Sequence, residues 1–472
     1  MNFNLHEFNL IQCFYIIGLD YKNDFIQSKI ISKFPYKIPY FFIDDEILIN
    51  HVFPFGIKFN IKYKKPEYFF FNLPIQKTKT EKKYNNLYFF VYNFCEKIPF
   101  SINNNNNNEN YYEKSFILSS FQNDYYSEFY QILSLIYSFN NNNNNNSITL
   151  ESLIQNLIFD LPIPPPFKYK FEYALPTLNS SKIIKFYQNP INKIPKCKCD
   201  LKILFKFFQI DFILEILKFI LLEISILVFC ENKYDLCNII QSFCEIIYPL
   251  KYKHIVINIL PIVYYKFIEN FNVFIIGINE KFNVNFFDKI NINGKNVLIV
   301  DINSIKPNIK FFESKKNEKI IININKKNKI DNNINNNNIN NVNLPKNITE
   351  KLLKNLKKYF DNNKNFDNVN NDEIKNIFYD YYVKMFNNYR NFINFNENII
   401  INNYKNKTIL NCFNYDDFIN KCDLNDKNFY SIFLKTKIFY SFIKNILIPK
   451  TLEDKIKIIC FDESVKEIKR KK

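Results

Sequence analysis

Glycine, tryptophan, histidine and arginine are almost missing from this sequence. Its 472 residues include four glycines, three histidines, two arginines and no tryptophan. Gly18, Gly56, Gly277 and Gly294 are too dispersed to form a Walker or dinucleotide loop. There is no H-E-x-x-H, and His6, His51 and His254 stand beside no Ser or Cys in a nucleophile motif. With Arg390 and Arg470 alone among dispersed lysines, the net charge of +17 is not read as a phosphate-reading face, and no nucleic acid is expected as partner. The ten cysteines form no paired C-x-x-C zinc pattern; Cys197 and Cys199, and Cys230, Cys237 and Cys244 at seven-residue spacing, read as buried or incidental thiols in a reducing cytosol. Residues 203–229 look membrane-like, but Lys206, Asp211, Glu215, Lys218 and Glu223 interrupt them before a run of ~18 uncharged apolar residues is reached. The first residues lack a basic lead-in and a small-residue cleavage site. The expectation is a cytoplasmic protein with no cofactor, no metal and no catalytic set.

Asn, Lys, Ile, Phe and Tyr fill the space instead, as in a gene drifting toward AT-rich codons. In such a chain a lysine says little, whereas a glycine, proline or arginine that persists has a local job. Asn tracts at 103–110 and 140–146 and a Lys/Asn-rich stretch at 313–347 bury too little apolar surface to offset ordering and read as exposed spacers. Three blocks remain. In the first, 8–175, buried-strand runs such as "LYFFVYNF" and "KSFILSSF" precede a helix over 126–139, a small α/β sandwich. In the second, 197–312, strands at 225–230, 254–261, 273–278 and 296–302 alternate with helices over 209–223 and from 234 to Pro249, which predicts a sheet covered on both faces. The helix over 209–223 is apolar nearly all round, with Asp211, Glu215 and Lys218 as one wet edge. The third, 348–447, is helical: Thr349 caps its first helix, Ile374, Ile377, Phe378, Tyr381 and Met385 repeat at helical spacing, and another helix runs over 429–443. A basic tail, 448–472, ends in "KEIKRKK". The acidic run Asp44–Glu46 reads as a solvated turn, and His254 as packing at a strand start. The fold class is α/β.

The order of the scarce residues resembles the DENN domain. The helix ending in Leu221, Leu222 and Glu223, a buried strand, a helix ending in Tyr248 and Pro249, Leu260 with Pro261, Phe274 with Gly277, and a strand ending in Asp301 follow the core pattern of that family; Val273 departs from it, where proline is frequent. "FYIIGLD", with Gly18 and Asp20, "HVFPFG", with Phe53, Pro54 and Gly56, "FILSSF", with Ser119, and "DLPIPPP" resemble the upstream segment. "MFNNYRNFI", with Tyr389 and Arg390, and "KTKIFYSFI" resemble the downstream one.

The resemblance implies a longin-like upstream module (8–175), a core α/β module (197–312), a low-complexity linker (313–347) and a helical downstream segment (348–447). It further implies guanine nucleotide exchange on a Rab-family small GTPase held between the modules, with vesicle trafficking as the setting. Most motif residues are expected to shape the fold rather than touch the GTPase. Rival readings are a DENN-fold scaffold without exchange activity, a stimulator of GTP hydrolysis, for which neither Arg390 nor Arg470 looks poised, and a peripheral contact of the basic tail with an acidic endomembrane surface.

Overall fold

The computed structural model describes residues 9–22, 25–36, 43–59, 61–76, 84–98, 111–141, 149–165, 170–176, 181–283, 285–290, 292, 295–303, 308–315, 318–323, 342–363, 366–405 and 409–470. The first Asn tract, most of the second, the middle of the 313–347 stretch and Gly294 lie outside the described residues.

Aromatic and β-branched runs favour extended backbone that packs both faces of a pleat. Five of them, β1 (Cys13–Lys22), β2 (Phe25–Phe34), β3 (Glu67–Gln76), β4 (Tyr84–Lys97) and β5 (Tyr111–Ser120), form an antiparallel sheet in the order β2-β1-β5-β4-β3. Helices α1 (Asp45–Val52), α2 (Tyr126–Asn141) and α3 (Leu150–Asp160) accompany this sheet. On α2, Phe129, Ile132, Leu133 and Ile136 are all buried, as the helical spacing predicts. A hairpin of β6 (Phe171–Pro176) and β7 (Ser181–Phe186) closes the block.

In the second block, β8 (Ser225–Phe229), β9 (Ile255–Ile257), β10 (Phe274–Ile278) and β11 (Val297–Asp301) run parallel. β12 (Asn308–Lys315) and β13 (Glu318–Asn323) extend the sheet antiparallel, giving the order β13-β12-β11-β8-β10-β9. Its helices are α4 (Lys202–Phe207), α5 (Ile210–Leu221), α6 (Lys233–Glu245) and the single turn α7 (Phe286–Lys289). The continuous apolar strands are covered on both faces. Ile226, Val228, Ile275, Leu298 and Val300 join the large core shared with the rest of the chain. Their alternates Leu227, Phe229, Phe274, Ile276, Val297 and Ile299 form a second core with Tyr265, Ile268, Phe286 and Phe287.

The third block is helical: α8 (Lys346–Asn362), α9 (Asn371–Met385), α10 (Glu397–Lys405), α11 (Tyr415–Asn420), α12 (Lys427–Phe433), α13 (Lys437–Leu447) and α14 (Leu452–Arg470).

Several boundaries differ from expectation. α6 ends at Glu245, and Pro249 lies in the following turn behind a cis Tyr248–Pro249 bond. α8 begins after Pro345, so Thr349 is within its first turn rather than its cap. Thr436 breaks the helix expected over 429–443: its hydroxyl accepts from Phe439 N at 3.2 Å, the N-cap that starts α13. The strand expected over 254–261 is paired only from Ile255 to Ile257. Lys218, expected on a wet edge, is buried, with Nζ donating to Glu215 over the Phe219 ring. Parts of the spacer at 313–347 are ordered as β12, β13 and the buried Val342 and Leu344. The expected basic tail is mostly α14, anchored by buried Phe461 and Val465; five acidic residues balance five basic ones within it.

Candidate functional site

Parallel strands expose their last residues together, and in open α/β sheets ligands gather at those carboxyl ends. Here the carboxyl ends of β8, β10 and β11 face the first module across a seam. α6 packs on β3, and polar contacts stitch the two. Lys233 N donates to Glu67 Oε1 at 2.6 Å, Asn258 Nδ2 to Phe70 O at 3.2 Å, and Ile262 N to Pro54 O at 3.2 Å. Lys233 sits at the start of α6, where Asn232 caps the helix by accepting from Asp235 N. Its fully enclosed ammonium donates to Val52 O at 3.0 Å and lies 4.8 Å from the Phe69 ring and 5.6 Å from the Phe53 ring. Burial pushes the Lys233 ammonium below its usual range, with the Glu67 carboxylate opposing the shift.

The seam opens into three adjoining hollows of about 120, 690 and 830 Å³ that share Glu231. Phe53, Pro54, Phe55, Gly56 and Lys58 line one wall of the first. The second is bounded by Asn279 to Asn283, and the third by Tyr68, Tyr126, Tyr130 and Tyr234. Gly56 has φ +78°, in the left-handed region, and closes a turn by donating its N–H to Phe53 O at 2.9 Å. This turn leaves Phe55 39% exposed at the mouth of the groove while Phe53 stays buried.

The opposite wall is an amide network. Asn279 Nδ2 donates to Cys230 O and Glu231 O at 3.0 and 2.7 Å. Glu231 N donates to Asn303 Oδ1 at 2.7 Å, and Asn303 Nδ2 donates to Asp301 Oδ1 at 2.9 Å. Asp301, expected only as the end of a strand, orients the amide that joins the three strand ends. Lysines (Lys58, Lys64, Lys65, Lys281) and carboxylates (Glu67, Glu113, Glu231, Glu280) alternate around the groove, so it is polar without one dominant sign.

The family-pattern residues divide by location. Phe53, Pro54 and Gly56 line the groove, Pro261 precedes the residue that bonds to Pro54, and Gly277 and Asp301 lie just behind it. A Cβ on Gly277 would stand 2.1 Å from Asn258 O, so close packing requires glycine there. The others lie elsewhere. Gly18 and Asp20 are in β1, with Asp20 paired to Lys29 at 3.1 Å. Ser119 is buried and donates to Cys13 O. Glu223, in the left-handed region at φ 57°, accepts from Ile438 N at 2.8 Å and pairs with His254 at 3.0 Å, which fixes the start of α13 to the core sheet. Tyr248 stacks on Tyr379 at 5.9 Å with Lys375 over its ring, while Pro249 sets the adjoining turn. Tyr389 donates to Asp462 Oδ1 at 2.6 Å, and Arg390 pairs with the other oxygen of the same carboxylate.

Lys233, Glu67, Asn279, Asn303 and Glu231 were not singled out from the sequence; only the strand ends at 230, 278 and 301 marked their neighbourhood. Among the described residues no cluster of three His, Cys, Asp or Glu is arranged for a metal ion, and no helix is long and apolar enough to cross a membrane. All ten cysteines are free, and burial pushes the Cys13 and Cys230 thiols up to about 12. That leaves them protonated and poor nucleophiles at neutral pH.

Two sheet modules joined along a polar groove, with buried thiols and carboxylates engaged in packing, make up a mixed α/β protein. Residues 111–305 match the DENN (AEX-3) domain family, from β5 of the first sheet to just past β11 of the second. Over 116 residues it is 28% identical to a DENN domain-containing protein of Schizosaccharomyces pombe, an overlap covering 24% of this chain and 12% of that protein.

Proposed function

We propose that this protein is a guanine nucleotide exchange factor for a Rab-type small GTPase in the cytoplasm, working at trafficking membranes. The DENN match carries the reading, because this is a family of Rab exchange factors. The groove supports it: the match contributes Glu113, Glu231, Lys233 and Asn279, and the preceding residues add Phe53 to Lys58. On this reading residues 8–175, 197–312 and 348–447 are the upstream, core and downstream DENN segments.

Exchange needs no covalent chemistry. A GTPase that holds nucleotide at roughly picomolar affinity, about −16 kcal/mol, releases it when a partner binds the empty form more tightly than the loaded one. The partner holds the switch segments away from the phosphate and magnesium site. A face built from two modules can engage two such segments at once. Arg390 is tied to Asp462, which disfavours its use as a finger for GTP hydrolysis.

The test is release of labelled GDP from a panel of Rab GTPases, using the full chain. Accelerated release from at least one, weakened by Lys58→Glu with Lys65→Glu, supports exchange. Binding without release supports a scaffold, accelerated phosphate release supports the hydrolysis reading, and absence of binding across the panel overturns all three.

A further inference from the structure

At the amino end of β9, the parallel strand paired with β10, and away from the groove, lysines crowd together. Lys251 and Lys253 precede β9; Lys444 lies near the end of α13 and Lys450 just before α14. The charges of Lys251, Lys450 and Lys444 all act on Lys253 and Asp454 opposes them, while the neighbouring Glu453 is paired with Lys457. Asp454 is already 3.6 Å from Lys251. Lys444 is held 5.2 Å from the Tyr404 ring. Beside this cluster Leu452 is 74% exposed at the start of α14.

We propose that this face docks on an anionic phospholipid bilayer, with Lys251, Lys253, Lys444 and Lys450 at the headgroups and Leu452 reaching the acyl boundary. The charge ratio selects a polyanionic partner. An extended array of headgroups fits four cations drawn from two chain segments better than a single small anion does, and an exposed leucine beside them gains only from an apolar layer. The five-residue strands set this face roughly 16 Å from the groove, at ~3.3 Å per residue. A bound bilayer therefore leaves the groove open. The inference differs from the tail reading above, since the charge within α14 is balanced, and it holds whether or not the groove catalyses exchange.

The test is co-sedimentation of the full chain with vesicles of phosphatidylcholine alone or with 30% phosphatidylserine added. Each lysine near an anionic leaflet contributes about fivefold in partitioning, so Lys253→Gln with Lys450→Gln should lose roughly 25-fold. Lys357→Gln with Lys358→Gln, exposed on α8, removes the same net charge and should lose less than about twofold. Leu452→Ser should weaken binding to anionic vesicles at high salt, where the electrostatic part is screened. Equal losses in the two lysine pairs would reduce the effect to net charge and overturn the proposal. So would unchanged binding by the first pair. Circular dichroism melts of each variant check that the fold is intact.

Discussion

Replacing Gly277 with alanine tests how tightly the core sheet supports the groove. The added Cβ would stand 2.1 Å from Asn258 O and 3.0 Å from Leu236 Cδ1, where ordinary contact begins at 3.4 Å. The first obstacle is backbone, and it is held: Asn258 Nδ2 bonds to Phe70 O, and Leu260 N bonds to Gly277 O at 2.9 Å. Relief therefore requires the 258–262 segment to move, which strains the Ile262–Pro54 bond across the seam. Overpacking in a core costs about 1–3 kcal/mol, and with backbone as the obstacle the upper end applies. At about 2–4 °C per kcal/mol for a domain of this size, the melting temperature should fall by roughly 6–12 °C. Gly18→Ala is the internal comparison. Its new Cβ meets Ile31 Cδ1 at 2.6 Å, the far end of a flexible side chain that is 48% exposed. Rotation relieves that clash, so the shift should stay within about 2 °C. Thermal and urea unfolding of both variants by circular dichroism decide the matter. Equal midpoints for the two would refute the claim that backbone crowding, rather than glycine removal in general, sets the cost.

Lys233→Met removes a buried charge while keeping the packing on Phe53 and Phe69. Because burial lowers the folded-state value below the unfolded one, the native lysine carries a penalty at neutral pH. That penalty fades as pH rises from the folded value toward the unfolded value of about 10.4. The stability of the native protein relative to Lys233→Met should therefore improve with pH over that window, and urea midpoints at pH 7 and pH 9.5 measure it; a difference that moves the other way refutes the assignment. Asp462→Ala leaves the buried Tyr389 hydroxyl without its acceptor and Arg390 without its carboxylate. A loss of about 1–3 kcal/mol is expected, and a urea-midpoint change matching less than about 0.5 kcal/mol would show that α14 is not held to the helical segment through this carboxylate.

What could be read from the sequence followed scarcity. Glycine at 56 and 277, and proline at 54 and 261, stand out against an Asn/Lys/Ile background, and all four lie at or directly behind the groove. Continuous apolar runs and the 3.6-residue period pointed to both sheets and the helical segment, because burial imposes them on whatever apolar residues are available. The chemistry of the groove was hidden for the converse reason. Asn279 and Asn303 tie three strand ends together, and Lys233 joins two modules, yet each belongs to a residue type so abundant here that its presence at any position is uninformative. Boundaries failed where tertiary partners overrode local preference. Lys218 is buried because Glu215 and Phe219 receive it, β12 adds to β11 although its sequence opens a Lys/Asn-rich stretch, and α14 is ordered because Phe461 packs on Tyr379 and Phe442. In a chain of drifting composition, then, rare residues report where the backbone is constrained. The common ones acquire roles only through their neighbours in space, which is why the buried Lys233 at the seam and the lysine cluster at Lys253 required coordinates to be seen.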